Sequence, residues 1–343
     1  MNQSKKAISC AAIVAGIIAM VAALYMDFMR TGTSFRGGLL IAGAVLLIVG
    51  LYLLPTKKHR SIIYVLFLFP LLFAFAVTVL IPFVCGIFYS MTDWNGIKYD
   101  NFVGLGNYIT MFKSKDYVYS FVVTFIYTVI NMLSVNIVAF ALALLCTSKV
   151  KGRNFYRAAY FIPNLIGGIV LGYIWQFVFN KGILIIGEKT GIQLFSSSWL
   201  SDPVKAFWAL IIVTVWQLSG YLMLIYIAGL MGVSENLKEA ARIDGCDEKK
   251  TMRYITLPLM AGTFTICFFL AISRAFVTYD VNISLTQGGP FNSTRLAAMY
   301  VYNMAFSAKE YGLGQAEALI LFLVIAVISI SQAVMGKRKE VEA

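Results

Sequence analysis

Charge is scarce in this sequence: 13% of its 343 residues are Asp, Glu, Lys or Arg, where soluble domains carry about 25%. That scarcity excludes an ordinary soluble enzyme with a solvated surface. The single histidine, His59, lies in the basic cluster Lys57-Lys58-His59-Arg60 with no partner for acid–base work. Cys10, Cys85, Cys146, Cys246 and Cys267 are scattered without paired spacing, which argues against both a disulfide framework and a metal site. No Gly-x4-Gly-Lys-Ser/Thr phosphate cradle occurs, since Gly336-Lys337 runs into Arg338 and lacks the earlier glycine. The chain is therefore not expected to hydrolyse ATP or to hold a cofactor or metal of its own. A formal net charge of +12 would suit nucleic acid, but the basic residues stand in short clusters beside apolar runs. That placement follows membrane topology instead.

Apolar residues are abundant: 60% of the chain is hydrophobic and the mean hydropathy is +0.80. A spanning helix needs about 20 mostly apolar residues. Such runs lie at Ile8–Met26, Gly37–Leu54, Ile62–Phe88, Tyr119–Cys146, Tyr160–Phe179, Phe207–Leu230, Pro258–Val277 and Leu313–Met335. The expectation is an all-α polytopic membrane protein with eight spans. The first run is longer than a signal core and no clear small-residue cleavage site follows it, so it reads as a retained span. With the N-terminus inside, most of the 28 lysines and arginines fall on the inner side. Both termini and the polar stretch 234–259 are then cytoplasmic.

That stretch, SENLKEAARIDGCDEKKTMRYITLPL, packs its charges between two apolar runs. It reads as two short helices with a hinge. Ser234 is placed to cap the first, Ala240 and Ala241 favour helix and leave low relief, and Gly245 supplies a turn that a Cβ would resist. Asp247 is placed to cap the second helix, which runs to Pro258, and that proline to open the next apolar helix.

Glu239-Ala240-Ala241, three residues, Gly245, nine residues and Ile255-Thr256-Leu257-Pro258 resemble the cytoplasmic EAA loop of ABC importer permeases. The resemblance implies that Glu239, Ala240, Ala241, Gly245, Ile255, Leu257 and Pro258 dock in a cleft of a separate ATPase subunit. A solvated loop that merely holds its place in the cytosol is the plainer alternative. Ser90–Trp94 with Asn101–Tyr108, Arg157–Pro163 leading to Ile174-Trp175, and Asp280 with Leu285–Pro290 are similar to the carbohydrate-uptake branch, the maltose-type and multiple-sugar permeases. What this implies is a type I ABC importer transmembrane domain: six core helices over 61–336 after an N-terminal two-helix hairpin at 1–60, with a basic cytoplasmic tail at 337–343. It implies further a second homologous permease, two ATPase subunits that bind ATP and Mg, an extracytoplasmic sugar-binding protein and a bacterial cytoplasmic membrane. No nucleic acid is expected. Two departures stand out. Val233-Ser234 replace the proline often found before Glu-Ala-Ala, and Gly167-Gly168 stand near where a second proline is common in the third core helix.

Polar groups in mid-membrane are costly and often functional. The apolar runs carry almost no charge, which argues against a proton relay or ion pathway. They hold amides and aromatics: Asn131, Asn136, Trp175, Gln176, Trp216, Gln217 and Tyr221. Amides suit sugar hydroxyls, and an aromatic plane suits the apolar face of a sugar ring. Asn131, Trp175, Trp216, Gln217 and Tyr221 are the expected substrate pathway, with Gln176 and Arg274 nearer the outer edge and Asn136 a packing residue. The plainer reading is that the amides join helices and the aromatics mark interfaces. Rival functions are the same assembly carrying glycerol 3-phosphate or another polar metabolite, an ion-coupled secondary transporter or channel, and, weakest, a membrane enzyme.

Overall fold

The computed structural model describes residues 3–28, 36–53, 59–148 and 150–338. Lys57, Lys58, Lys149 and the tail beyond Arg338 lie outside the described residues. Apart from one isolated bridge between Thr92 and Phe102, the regular elements described are helical. The chain divides into two compact units, Met1–Val84 and Cys85–Ala343.

In the first unit, α1 (Gln3–Phe28) and α2 (Arg36–Leu53) pack as a hairpin, followed by α3 (His59–Phe75) and a π-helical turn at Ala76–Leu80. Glycine sets the spacing of the hairpin: a Cβ on Gly16 would lie 2.7 Å from the Gly43 carbonyl oxygen, and one on Gly50 would lie 2.8 Å from the Ile13 backbone nitrogen. The Ser9 hydroxyl donates to the Gly50 carbonyl. Small residues let apolar helices approach closely where no hydrophobic effect drives them together.

The second unit takes in most of α4 (Ile81–Tyr89), then α5 (Gly106–Lys113), α6 (Lys115–Thr147), α7 (Arg153–Leu165), α8 (Gly168–Phe177), α9 (Ile183–Thr190) and α10 (Pro203–Gly232). It continues with α11 (Glu235–Ile243), α12 (Glu248–Thr251), α13 (Leu257–Leu259), α14 (Ala261–Phe276), α15 (Asp280–Leu285), α16 (Ala297–Tyr302) and α17 (Tyr311–Lys337). Its core is the seam of α6, α10 and α14. Val135, Ala139 and Ala143 meet Leu222, Met223 and Tyr226, with Cys267 and Ala271 closing the third side. α6 and α10 run in the same direction, since Tyr127 meets Phe207 at one end and the Tyr226 hydroxyl donates to Asn136 at 2.7 Å further along. Asn136 is thus the expected packing residue.

Among the described residues six helices are long and apolar enough to cross a membrane, or seven if the bent pair Glu248–Leu259 and Ala261–Phe276 is one span. The apolar helix Gly37–Tyr52 is shorter than that test requires. Two expected runs are corrected in detail. The run Tyr160–Phe179 is broken at Ile166-Gly167, both extended, so that the apolar segment is Gly168–Thr190 and α7 stands apart. Close packing explains the glycines that follow: a Cβ on Gly172 would meet the Ser284 hydroxyl at 1.9 Å, so α8 lies directly on α15. Pro258 does not open the next long helix either. It sits in α13, and the chain bends by 66° at Met260 before α14 begins.

Candidate functional site

The stretch 234–259 closes one end of the bundle. α11 ends in a Schellman arrangement, with Cys246 N–H donating to the Ala241 carbonyl at 2.9 Å and Gly245 N–H to that of Arg242 at 3.1 Å. Gly245 has φ +83°, the left-handed value that such an end requires and glycine tolerates. Asp247 caps α12, its carboxylate accepting from Lys250 N–H at 2.7 Å. Ser234 holds the cap position of α11, but its hydroxyl makes no capping bond; its backbone carbonyl accepts from Leu237 N–H at 3.2 Å instead. Ala241 is buried at 4% exposure, while Glu239, Ala240, Gly245 and Pro258 are exposed and Ile255 and Leu257 half-buried. A π-helical turn at Met252–Thr256 joins α12 to α13. A cleft of about 570 Å³ opens here, with Leu144, Thr147 and Leu230 behind it and Glu235, Lys238 and Arg242 at its mouth. The result is a charged surface fixed to the ends of α6 and α10.

A second feature lies where the α7–α8 break faces α10 and the end of α14. This cavity of about 380 Å³ is lined by Asn131, Asn164, Thr214, Gln217, Arg274, Thr278, Tyr279 and Asp280 together with the backbone of Leu165–Gly168. Asn131 donates to the Thr214 hydroxyl at 2.7 Å, and Tyr127 donates to the same oxygen at 2.9 Å. Gln217 donates to the Ile166 carbonyl at 3.2 Å, using an acceptor that the helix break sets free. The cavity can therefore offer several neutral donors and acceptors, with one cation and one anion at its wall.

Of the expected pathway residues, Asn131 and Gln217 line this cavity, as does Arg274, whereas Trp175, Trp216 and Tyr221 do not. Trp175 and Trp216 form an edge-to-face pair at 5.4 Å, and Tyr221 is exposed one turn beyond Gln217. Gln176 donates to the Leu285 carbonyl at 3.4 Å, joining α8 to α15. Thr214, Asn164, Thr278 and Asp280 went unread as cavity residues. Thr214 was within reach of the sequence, since it shares a helical face with Gln217 and Tyr221. Glu317 was passed over too. It lies in the last apolar run, fully buried, and among the described residues neither carboxyl oxygen has a hydrogen-bond partner.

These features are those of a multi-pass membrane protein with a polar pocket and a charged surface at one end. Residues 136–341 match the family of binding-protein-dependent transport system inner membrane components, and the chain belongs to that family. It is 43% identical to the probable starch degradation products transport system permease protein AmyD of Thermoanaerobacterium thermosulfurigenes, over 82% of this chain and 97% of that protein. It is 33% identical to the multiple sugar-binding transport system permease protein MsmF of Streptococcus mutans, over 76% of this chain and 90% of that protein. A solved bacterial ABC transporter involved in import of the acidic polysaccharide alginate shares the fold, with TM-score 0.70 at 19% identity over 82% of this chain and 96% of that one. The chain is thus a permease subunit, multi-pass in the membrane, and ATP hydrolysis belongs to a separate subunit.

Proposed function

We propose that this permease forms half of the pathway of an ATP-driven, binding-protein-dependent importer of oligosaccharides. The polar cavity carries the cargo assignment: amides and hydroxyls there suit a neutral polyol. The relatives named for starch degradation products and multiple sugars support the same reading. Asp280 stands on the same cavity as Arg274, so the site is balanced in charge, which disfavours a phosphate ester.

In this reading a homologous permease completes the pathway, two ATPase subunits carry ATP and Mg, and an extracytoplasmic protein delivers the sugar. Both termini are cytoplasmic, and Gly37–Tyr52 counts as the eighth span. The hairpin is 1–60, the permease core 61–336 and the tail 337–343. Glu239, Ala240, Ala241, Gly245, Ile255, Leu257 and Pro258 form the docking surface. Closure of the ATPases draws two such loops together, the spans rock as rigid bodies, and the cavity opens outward to receive sugar. Asn131, Gln217 and Thr214 then hold hydroxyls, and Trp175, Trp216 and Tyr221 lie along the path further from the cavity.

Uptake of labelled maltotetraose by the assembled transporter tests this. Gln217→Ala should lower initial uptake about tenfold, one lost polar contact to substrate being worth about 1.5 kcal/mol, with assembly intact. Undiminished uptake across starch-derived and other host sugars would remove the cavity from the path.

A further inference from the structure

A third cavity, about 450 Å³ in volume, lies between α16, the start of α17 and the residues that follow α14, away from the 234–259 loop. Its wall is built from Trp94, Tyr279, Tyr302, Phe306, Tyr311 and Gln315, with alanines and Gly314 between them. The rings touch in an unbroken file. Tyr89 stacks on Trp94 at 4.4 Å, Trp94 meets Tyr311 at 5.5 Å, and Tyr311 meets Phe306 at 5.8 Å. Phe306 then meets Tyr302 at 4.8 Å, and Tyr302 meets Tyr279 at 4.7 Å. Tyr279 also lines the polar cavity, so the file ends where the proposed sugar site begins.

Three features bear on what this file can hold. Core rings such as Tyr117 and Tyr226 are at most 1% exposed, whereas Tyr302 and Phe306 are 39% and 57% exposed. Phe306 rides on a π-helical turn at Asn303–Ser307, a departure from α-helix that frequently marks functional sites. The rim is also held in place. Gly312 N–H donates to the Trp94 carbonyl at 2.9 Å, and Asn107 donates to the Thr92 carbonyl at 2.9 Å. In the loop beyond, the Asp93 carboxylate accepts from Asp100 and Asn101 N–H at 2.9 Å each. A preorganised wall binds without the entropy loss of ordering it.

The occupant follows from the wall. Flat apolar faces with polar rims match a pyranose, whose C–H face is apolar and whose edge bears hydroxyls. The cavity falls in the size range of small-molecule sites, about 300–1,000 Å³. We propose that it is an outer sugar subsite, where an oligosaccharide stacks its rings before its leading end enters the polar cavity past Tyr279. The inference rests on the saccharide reading above. A short sugar fits the polar cavity alone, while a longer one occupies both.

The assembled transporter, reconstituted with its binding protein, is assayed for uptake of labelled maltose and maltotetraose. Replacing both outer rings, Tyr302→Leu with Phe306→Leu, keeps apolar bulk and removes the planes. Maltotetraose uptake should fall at least fivefold, maltose uptake should stay within twofold, and Tyr302→Phe should match the parent protein. Equal change in both probes, or none, overturns the subsite. Loss of the second permease on purification overturns it as well, by making the rings a subunit contact. A parent transporter that carries neither of these nor any other host oligosaccharide refutes the saccharide reading itself, and the subsite falls with it.

Discussion

Gly220 shows how tightly single residues constrain this bundle. A Cβ there would lie 1.8 Å from the Tyr160 carbonyl oxygen and 2.5 Å from its carbon, both backbone atoms of α7. Backbone cannot swing aside as a side chain can. Gly220→Ala should therefore destabilise the α7–α10 contact by at least about 1–3 kcal/mol, read as a lower thermal midpoint of the purified assembly. An unchanged midpoint would mean that α7 is loosely held. Nothing in the sequence around Gly220 marks that contact, because it depends on a partner 60 positions away in the chain. Asn131 and Gln217 were legible, since an amide in an apolar run has few reasons to be there. Glu317 stands out by the same logic, yet one acid among apolar neighbours barely changes the hydropathy of its run. Its burial without a hydrogen-bonding partner removes part of the sequence argument against intramembrane acids, and the case against ion coupling now rests on the family.

At the scale of elements, helix ends set by local chemistry were readable. Gly245 and Asp247 act as expected because a left-handed turn and a carboxylate cap need only their immediate neighbours. Ser234 departs from expectation in part: it sits at the cap, yet its carbonyl and not its hydroxyl takes the amide. A paired prediction separates the two. Asp247→Ala should cost about 1 kcal/mol, speeding amide exchange across 248–256 several-fold, while Ser234→Ala should leave exchange in 235–243 nearly unchanged. Equal effects would contradict the capping geometry. Hydropathy cannot see the break at Ile166-Gly167 or the bend at Met260, because apolar residues continue through both. Only the glycine pair hinted at the first. These two interruptions matter for function, since the first frees the backbone that lines the polar cavity and the second turns the loop onto the bundle's end.

For the whole molecule, the outward faces are those of a protein that lives in lipid: Leu71, Ile137 and Val327 are 71%, 69% and 64% exposed. Patches of that kind on a soluble chain mark interaction sites; here the bilayer covers the spans. The polar cavity and the charged loop lie far apart on one unit, joined by α10, which carries Gln217 on the first and ends at Gly232 beside the second. Coupling in such a system needs an element that both sites bias, and in the proposed function α10 with its loop is that element. In the proposed function this loop is also the point of contact with the ATPase. Its most direct test is a cysteine at exposed Ala240 in a cysteine-free transporter that retains uptake, with crosslinking of the assembled complex in the presence and absence of ATP. Docking of the loop predicts a product containing the ATPase whose yield changes with nucleotide. No such product, or labelling of that cysteine by an impermeant reagent from outside intact cells, would contradict it.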